Sequence, residues 1–227
     1  AGGTGGAGLR AGQQRSAGTA ARPTRKGQLG LALDRFGRSL WFGTLAEFDE
    51  LLRSVHDRGM RLLLDWVPNH TSDQHPWFQE SRRDRTNPKA DWYVWRDQPT
   101  NNWLASFPRG ESAWAFDDLR GQYYLRCFLK EQPDLNWDNP DVVAAMHETL
   151  RFWLDRGVDG FRMDVVHLLG KDLNVDDPPI SAELVLGHVP FNDQPITHRH
   201  LREIRSLLDE YSTRVSVGEE YLLDEEA

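Results

Sequence analysis

Apolar positions recur at helical spacing three times along the chain, and each time a short apolar run follows. After Thr44, the residues Leu45, Phe48, Leu52 and Val55 fall on one face of a helix. Thr44-Leu45-Ala46-Glu47 reads as a capping box, whose hydroxyl and carboxylate satisfy free N–H groups of the first turn, and Gly59 reads as the stop. Residues 60–67 then form a nearly continuous apolar strand, the pattern that a sheet buried on both faces requires. The unit repeats. Asn139 caps a helix that opens with Pro140 and turns Val142, Val143, Met146, Leu150, Trp153 and Leu154 to one side. Asp155-Arg156-Gly157 closes it, as Asp57-Arg58-Gly59 closed the first. A third unit runs from Thr197 through Leu201, Ile204, Leu208 and Tyr211 into the strand Arg214-Val215-Ser216-Val217-Gly218. Three helix-then-strand units with short links predict a parallel β/α architecture.

Each strand carries an acid near its C-terminal end: Asp65, Asp164, and Glu219 or Glu220. Functional sites of (β/α)8 barrels lie at that end, and so do ligands of open α/β sheets, so the pattern alone leaves both architectures open. Side chains alternate along a strand, which puts Arg162 and Asp164 on one face and Phe161, Met163 and Val165 on the other. An arginine beside a carboxylate favours the ionised form and lowers its pKa. A charged Asp there serves as a nucleophile or an electrostatic stabiliser, or the two form a purely structural pair. By the same parity Glu219 goes with Val215 and Val217, and Glu220 with Ser216; spacing does not say which set points inward.

The stretch between the first two units, roughly 71–138, is too long for an ordinary loop. It is rich in aromatic residues, from Trp77 and Phe78 to Trp137. Residues 112–117 and 122–128 read as a hairpin around Asp118-Leu119-Arg120-Gly121. It is expected to form a small subdomain over the strand ends, with most of its rings filling a core and the rest free to wall a cleft. Residues 168–196, with Asp176-Asp177-Pro178-Pro179 and Asn192-Asp193-Gln194-Pro195, read as an irregular loop at the same end.

Composition adds limits. Apolar residues make up 39% and charged residues 27%, with nine tryptophans. The net charge of −8 argues against non-specific nucleic-acid binding. One cysteine, Cys127, cannot form an internal disulfide and points to a reducing, cytoplasmic setting. No apolar run approaches the roughly 20 residues of a membrane span. Residues 1–25, rich in Gly, Ala, Thr and Arg, show no helical or strand period and read either as a disordered tail or as a foreign or wrongly framed segment. No glycine-rich phosphate loop of the usual spacing occurs, which disfavours a phosphate-binding α/β enzyme.

Asp65-Trp66-Val67-Pro68-Asn69-His70 resembles the third-strand motif of the α-amylase superfamily, glycoside hydrolase family 13. Gly160-Phe161-Arg162-Met163-Asp164 resembles its fourth-strand motif, and Val217-Gly218-Glu219 its fifth. Gln132-Pro133-Asp134-Leu135-Asn136 resembles the motif near the end of the inserted B domain, in the form found in oligo-1,6-glucosidases and related α-glucosidases. The resemblance covers about residue 40 to the C-terminus. It implies a partial (β/α)8 TIM barrel, about strands 3 to 5, divided as 1–40 non-matching, 41–72 barrel, 73–138 inserted B-type subdomain and 139–227 barrel.

The resemblance further implies Asp164 as nucleophile and Glu219 as general acid/base, with Arg162 supporting the nucleophile. Asn69 and His70 would contact sugar in the first subsite, and Asp65 would be a structural acid. A lone histidine such as His70 is otherwise more often structural. Two such carboxyls suit retaining glycosidase chemistry, with Asp164 held at low pKa by Arg162 and Glu219 raised by burial. The implied substrate is a malto- or isomalto-oligosaccharide, with Val165, just after the nucleophile, pointing weakly to α-1,6 bonds. The family's seventh-strand Asn-His-Asp motif and the subgroup's metal-binding loop are not found, so no cofactor or metal is expected. A truncated, poorly folded and weakly active chain follows from that reading. Hydrolysis, glucosyl transfer and a non-catalytic homologue that binds sugar or a partner remain as alternatives.

Overall fold

In the computed structural model the described residues are 32–33, 39–40, 44–106, 110–174 and 194–220. The strands are β1 (Ala32–Leu33), β2 (Ser39–Leu40), β3 (Leu63–Trp66), β4 (Trp95–Arg96), β5 (Trp114–Asp117), β6 (Gln122–Leu125), β7 (Gly160–Met163) and β8 (Val215–Gly218). The helices are α1 (Leu45–His56), α2 (Pro76–Ser81), α3 (Pro140–Asp155) and α4 (Pro195–Asp209), with a 3-10 turn at Val166–Leu168. β1 and β2 pair antiparallel. The unpatterned segment 1–25 and most of the loop 168–196 lie outside the described residues. Among these residues no helix is long and apolar enough to cross a membrane.

The three expected units are present as α1–β3, α3–β7 and α4–β8, and their strands form one parallel sheet in the order β3-β7-β8. The capping box forms: Thr44 Oγ1 accepts from the Glu47 N–H at 3.2 Å, and Glu47 accepts from the Thr44 N–H at 2.6 Å. The side chain of Asn139 accepts from the Asp141 N–H at 2.9 Å, and Pro140 opens α3. Gly59 and Gly157 take positive φ of 69° and 96°, the left-handed conformation that ends a helix cheaply only at glycine. The third helix begins at Pro195, two residues before the Thr197 start read from spacing, because proline supplies the φ of a first helical residue.

One face of the sheet is covered by helices. Trp66, Phe161 and Met163 join Met146, Leu150, Trp153 and Leu154 of α3 and Leu207 and Leu208 of α4 in one core. The first strand is shorter than residues 60–67 and is not buried on both faces: Leu63 is 40% exposed, and Val215 and Val217 are each 51% exposed. The reason is position. β3 and β8 are the edges of the sheet, and their other face is uncovered among the described residues.

Between β3 and α3 lies a second sheet, antiparallel, in the order β4-β6-β5. The expected hairpin is its β5–β6 pair, turning at Gly121 with φ 68°. Most of the aromatics fill cores. Phe78, Tyr93, Trp95 and Tyr124 pack ring to ring, and Trp103 and Trp114 join Leu125 and Cys127. Among the described residues Phe116 is exposed, at 52%.

Asp159 ties the first two units together at the N-terminal end of β7. It is buried, and it accepts hydrogen bonds from the Leu62 N–H at 2.8 Å, Arg61 Nη1 at 2.8 Å and His56 Nε2 at 2.7 Å. Burial pushes its pKa up, but the bonds from Leu62, His56 and Arg61 outweigh burial and hold it at about 2. A depressed carboxylate stabilises the fold above its unfolded pKa, and that stability is lost as pH falls from about 4 through about 2. Asp159→Asn should therefore lower stability at neutral pH by on the order of 2 kcal/mol. Urea midpoints measured between pH 7 and pH 3 should show the gap between variant and wild type closing as pH falls.

Candidate active site

The sheet register aligns the acids. Asp65 of β3 stands opposite Arg162 of β7, which stands opposite Val217 of β8. Neighbours in register point to the same side, so the face carrying Asp65, Arg162 and Val217 is also the face of Asp164 and Glu219, each two residues further on. The backbone extends this alignment past the strands: the Asp164 N–H bonds Trp66 O at 2.9 Å, and the Glu219 N–H bonds Met163 O at 2.8 Å. Glu219, and not the exposed Glu220, faces the site.

Arg162 is the centre of this face. Its Nη1 donates to Asp65 Oδ1 at 2.8 Å and to Asp164 Oδ1 at 2.5 Å, and its Nη2 pairs with Glu219 Oε2. The guanidinium is held in its charged form above the ordinary range. Burial opposes this, but the bonds and charges of Asp65 and Asp164 outweigh it. The expectation of a low pKa for Asp164 does not hold. Its side chain is 14% exposed. Burial and a hydrogen bond with Glu219 push its pKa up to about 6 despite Arg162. One cation is divided among three carboxylates, so its field cannot fully offset the loss of water and the second negative charge. Asp164 and Glu219 thus behave as a pair that retains one proton to near pH 6.

Asn69 and His70 lie just beyond β3 and are both buried, at 0% and 7% exposure. Burial drives the His70 pKa down to about 4, so its ring is neutral at physiological pH. Gln132 Nε2 stands 2.9 Å from His70 Nε2, and the Phe128 ring is tilted against it at 5.2 Å. Asn69 Nδ2 donates to Asp134 Oδ1 at 3.2 Å, and Asn69 Oδ1 accepts from Lys171 Nζ at 2.9 Å. Lys171 Nζ also bonds Leu168 O at 2.6 Å and lies 3.3 Å from Asp134 Oδ2, an ion-pair contact without hydrogen-bond alignment. Asp134 is fully buried and accepts from the Cys127 N–H at 3.0 Å.

Sequence reasoning singled out neither Asp134 nor Lys171 as part of the site. Asp134 stood inside a motif that was already noted. Lys171 follows the Gly160–Asp164 motif with no local signal, and only the fold brings it to Asp134. Val165, read as a pointer to specificity, is buried with Val94, Trp103, Trp114 and Leu125. A cleft of about 400 Å³ beside α1, lined by Asp49, Leu52, Arg53, His56, Arg156 and Gly157, includes none of the residues of this site. Among the described residues no group of three or more His, Cys, Asp or Glu side chains is disposed to hold a metal ion.

Residues 39–227 match the model of the alpha-amylase catalytic domain. The chain is 45% identical over 196 residues to an alpha-glucosidase of Schizosaccharomyces pombe, covering 81% of this chain and 33% of that protein. It is 43% identical over 185 residues to an oligo-1,6-glucosidase of Parageobacillus thermoglucosidasius, covering 78% and 32%. It is also 41% identical over 190 residues to a human amino acid transporter heavy chain, covering 76% and 27%. Among solved structures it matches the alpha-glucosyl transfer enzyme XgtA with a TM-score of 0.75 at 44% identity, covering 81% of this chain and 37% of that one. The chain spans about a third of the length of the curated relatives it matches. It belongs to the alpha-amylase family, and its parallel units are part of that family's (β/α)8 barrel.

Lys171→Met should leave the buried Asp134 without its ion-pair partner, at a cost of about 3 kcal/mol, whereas Lys171→Met combined with Asp134→Asn should recover part of it. Thermal unfolding of the three proteins at pH 7 measures both effects.

Proposed function

We propose that this alpha-amylase family chain carries the nucleophile and the acid/base of a retaining α-glucosidase-type glycoside hydrolase. Its substrates would be malto- or isomalto-oligosaccharides. The observation that carries the reading is the convergence of Asp164 and Glu219 on one guanidinium, that of Arg162, at the C-terminal ends of adjacent parallel strands. That is the end where barrel enzymes place their chemistry. The names of the α-glucosidase relatives support the same substrate class. The matching division of the chain is barrel for 41–72 and 139–227 and inserted subdomain for 73–138. A single cysteine, Cys127, which has no second cysteine in the chain to pair with, suits a cytoplasmic setting.

In the proposed reaction Asp164 Oδ attacks the anomeric carbon as the glycosidic C–O bond breaks, and Glu219 gives its proton to the departing oxygen. The products of this step are a glucosyl ester of Asp164 and the free alcohol. Water then attacks the same carbon, Glu219 takes its proton, and the ester bond breaks to release glucose and free Asp164. Arg162 orients both carboxyls and stabilises negative charge on Asp164 as it leaves. Asn69 and His70 line the site as sugar contacts, His70 as a neutral ring, and Asp65 fixes Arg162.

Two other readings have specific support. If a sugar hydroxyl replaces water in the second step, the outcome is glucosyl transfer, as in the name of XgtA. The reading of a non-catalytic homologue that binds sugar or a partner draws on a relative named for a transporter rather than for a glucosidase.

Incubation with a 5-fluoro α-glucosyl fluoride should leave a 5-fluoroglucosyl mass on Asp164, located by peptide mass spectrometry and absent from Asp164→Ala. Binding of α-glucosides without any label would favour the non-catalytic homologue instead. The pH profile carries a second expectation. Fluoride departs without a proton, so labelling needs only ionised Asp164 and should rise through about pH 6. Cleavage of an alkyl α-glucoside needs the pair's one proton on Glu219 and should fall above the same pH.

A further inference from the structure

The chain leaves β7 through an unfavourable conformation. Val165, directly after Asp164, has φ 39° and ψ 43°, in the left-handed region. A β-branched residue there costs about 1 to 3 kcal/mol and persists only where the surroundings impose it. The consequence of the bend is local. It ends the extended backbone at once and starts the 3-10 turn Val166–Leu168, closed by the Leu168 N–H on Val165 O at 3.0 Å. The turn is wedged from both sides: Val165 and Leu168 enter the core shared with Trp103 and Leu125, while Val166 and Leu169 enter the core under the parallel sheet. Val166 also lies against the end of β8, where its Cγ1 would stand 3.2 Å from a Cβ added to Gly218.

This bend brings His167 to Glu219. The buried His167 ring places Nδ1 at 3.3 Å from the backbone oxygen of Glu219. A carbonyl only accepts, so Nδ1 carries the proton and donates. The N–H of the same Glu219 already donates to Met163 O at 2.8 Å. Both polar groups of the Glu219 peptide frame are thereby held by the segment that bears Asp164: Met163 lies one residue before it and His167 three residues after it. A buried histidine that meets a carbonyl is often only a satisfied core residue. Here the carbonyl belongs to the proposed acid/base, and the bend that delivers the ring is strained.

We propose that His167 is a positioning residue: through its hydrogen bond to the Glu219 carbonyl it fixes the place of the Glu219 carboxyl relative to Asp164. The inference rests on the reading of Asp164 and Glu219 as nucleophile and acid/base. Loss of the bond lets the end of β8 drift. Proton delivery then suffers, while the attack by Asp164 does not.

The test compares two donors on the full chain. His167→Ala should slow cleavage of an alkyl α-glucoside by about tenfold or more, because misplacing an acid weakens the step that needs its proton. Labelling of Asp164 by the 5-fluoro α-glucosyl fluoride should stay within about twofold of wild type, since fluoride needs no acid. His167→Asn, whose Nδ2 can donate from a similar position, should restore most of the loss. Equal losses with both donors, or no loss with either, would overturn the proposal. If the wild-type chain is neither labelled nor active, the functional reading fails first, and the ring itself then decides. Its 15N resonances should show the Nδ1–H tautomer in the wild-type chain, and an Nε2–H tautomer overturns the proposed bond whatever the turnover.

Discussion

One guanidinium joins three strands at the place where the chemistry is proposed. Arg162 reaches Asp65 on one neighbouring strand, Asp164 just past its own strand end and Glu219 beyond the other. Parallel register makes this possible, because it stacks Asp65, Arg162 and Val217 in one row and sends the next pair of side chains to the same side. The cost is electrostatic. Burial, with the neighbouring Glu219, raises the Asp164 pKa to about 6, and a single positive charge divided among three carboxylates does not offset it. That frustration is useful chemistry, since a carboxyl pair that shares one proton can act as nucleophile and acid together.

The two ends of the strands carry different tasks. At the N-terminal end Asp159 collects three donors, His56 at the end of α1 and Arg61 and the Leu62 N–H in the link to β3, and its pKa falls to about 2. A carboxylate with that many donors is a stabilising tie. At the C-terminal end Asp65, Asp164 and Glu219 share one donor side chain, Arg162, and burial pushes the Asp164 pKa up. Asp159 and Asp164, five residues apart, differ because burial and the neighbouring Glu219 outweigh Arg162 at Asp164, whereas three donors outweigh burial at Asp159.

The antiparallel subdomain is joined to the parallel sheet by buried polar contacts as well as by packing. Asp134 of the subdomain meets Asn69 at the end of β3 and Lys171 after the 3-10 turn, so three separated stretches of chain meet around one buried carboxylate. The backbone supports the same joint: the Leu135 N–H bonds Asn69 O at 2.9 Å, and Trp137 Nε1 donates to Pro68 O at 2.8 Å. Asn69 and His70 are therefore placed by the subdomain as much as by the strand that bears them.

The helix caps, the glycine stops, the hairpin and the row of acids at strand ends were legible in the sequence, because each depends on residues only a few positions apart. Thr44 with Glu47, Asn139 with Asp141, and Gly59 and Gly157 all act locally. The motifs around Asp65, Asp164 and Glu219 named the acids, but alternation along a strand could not say whether Glu219 or Glu220 faced the site. Only pairing β8 with β7 settled that, by setting Val217 opposite Arg162. The sharing of Arg162 among three acids, the raised pKa of Asp164, the meeting of Lys171 with Asp134 and the bond from His167 to Glu219 also lay beyond local reading. Each depends on how much water the fold removes and on which distant residues it brings together, and spacing along the chain encodes neither.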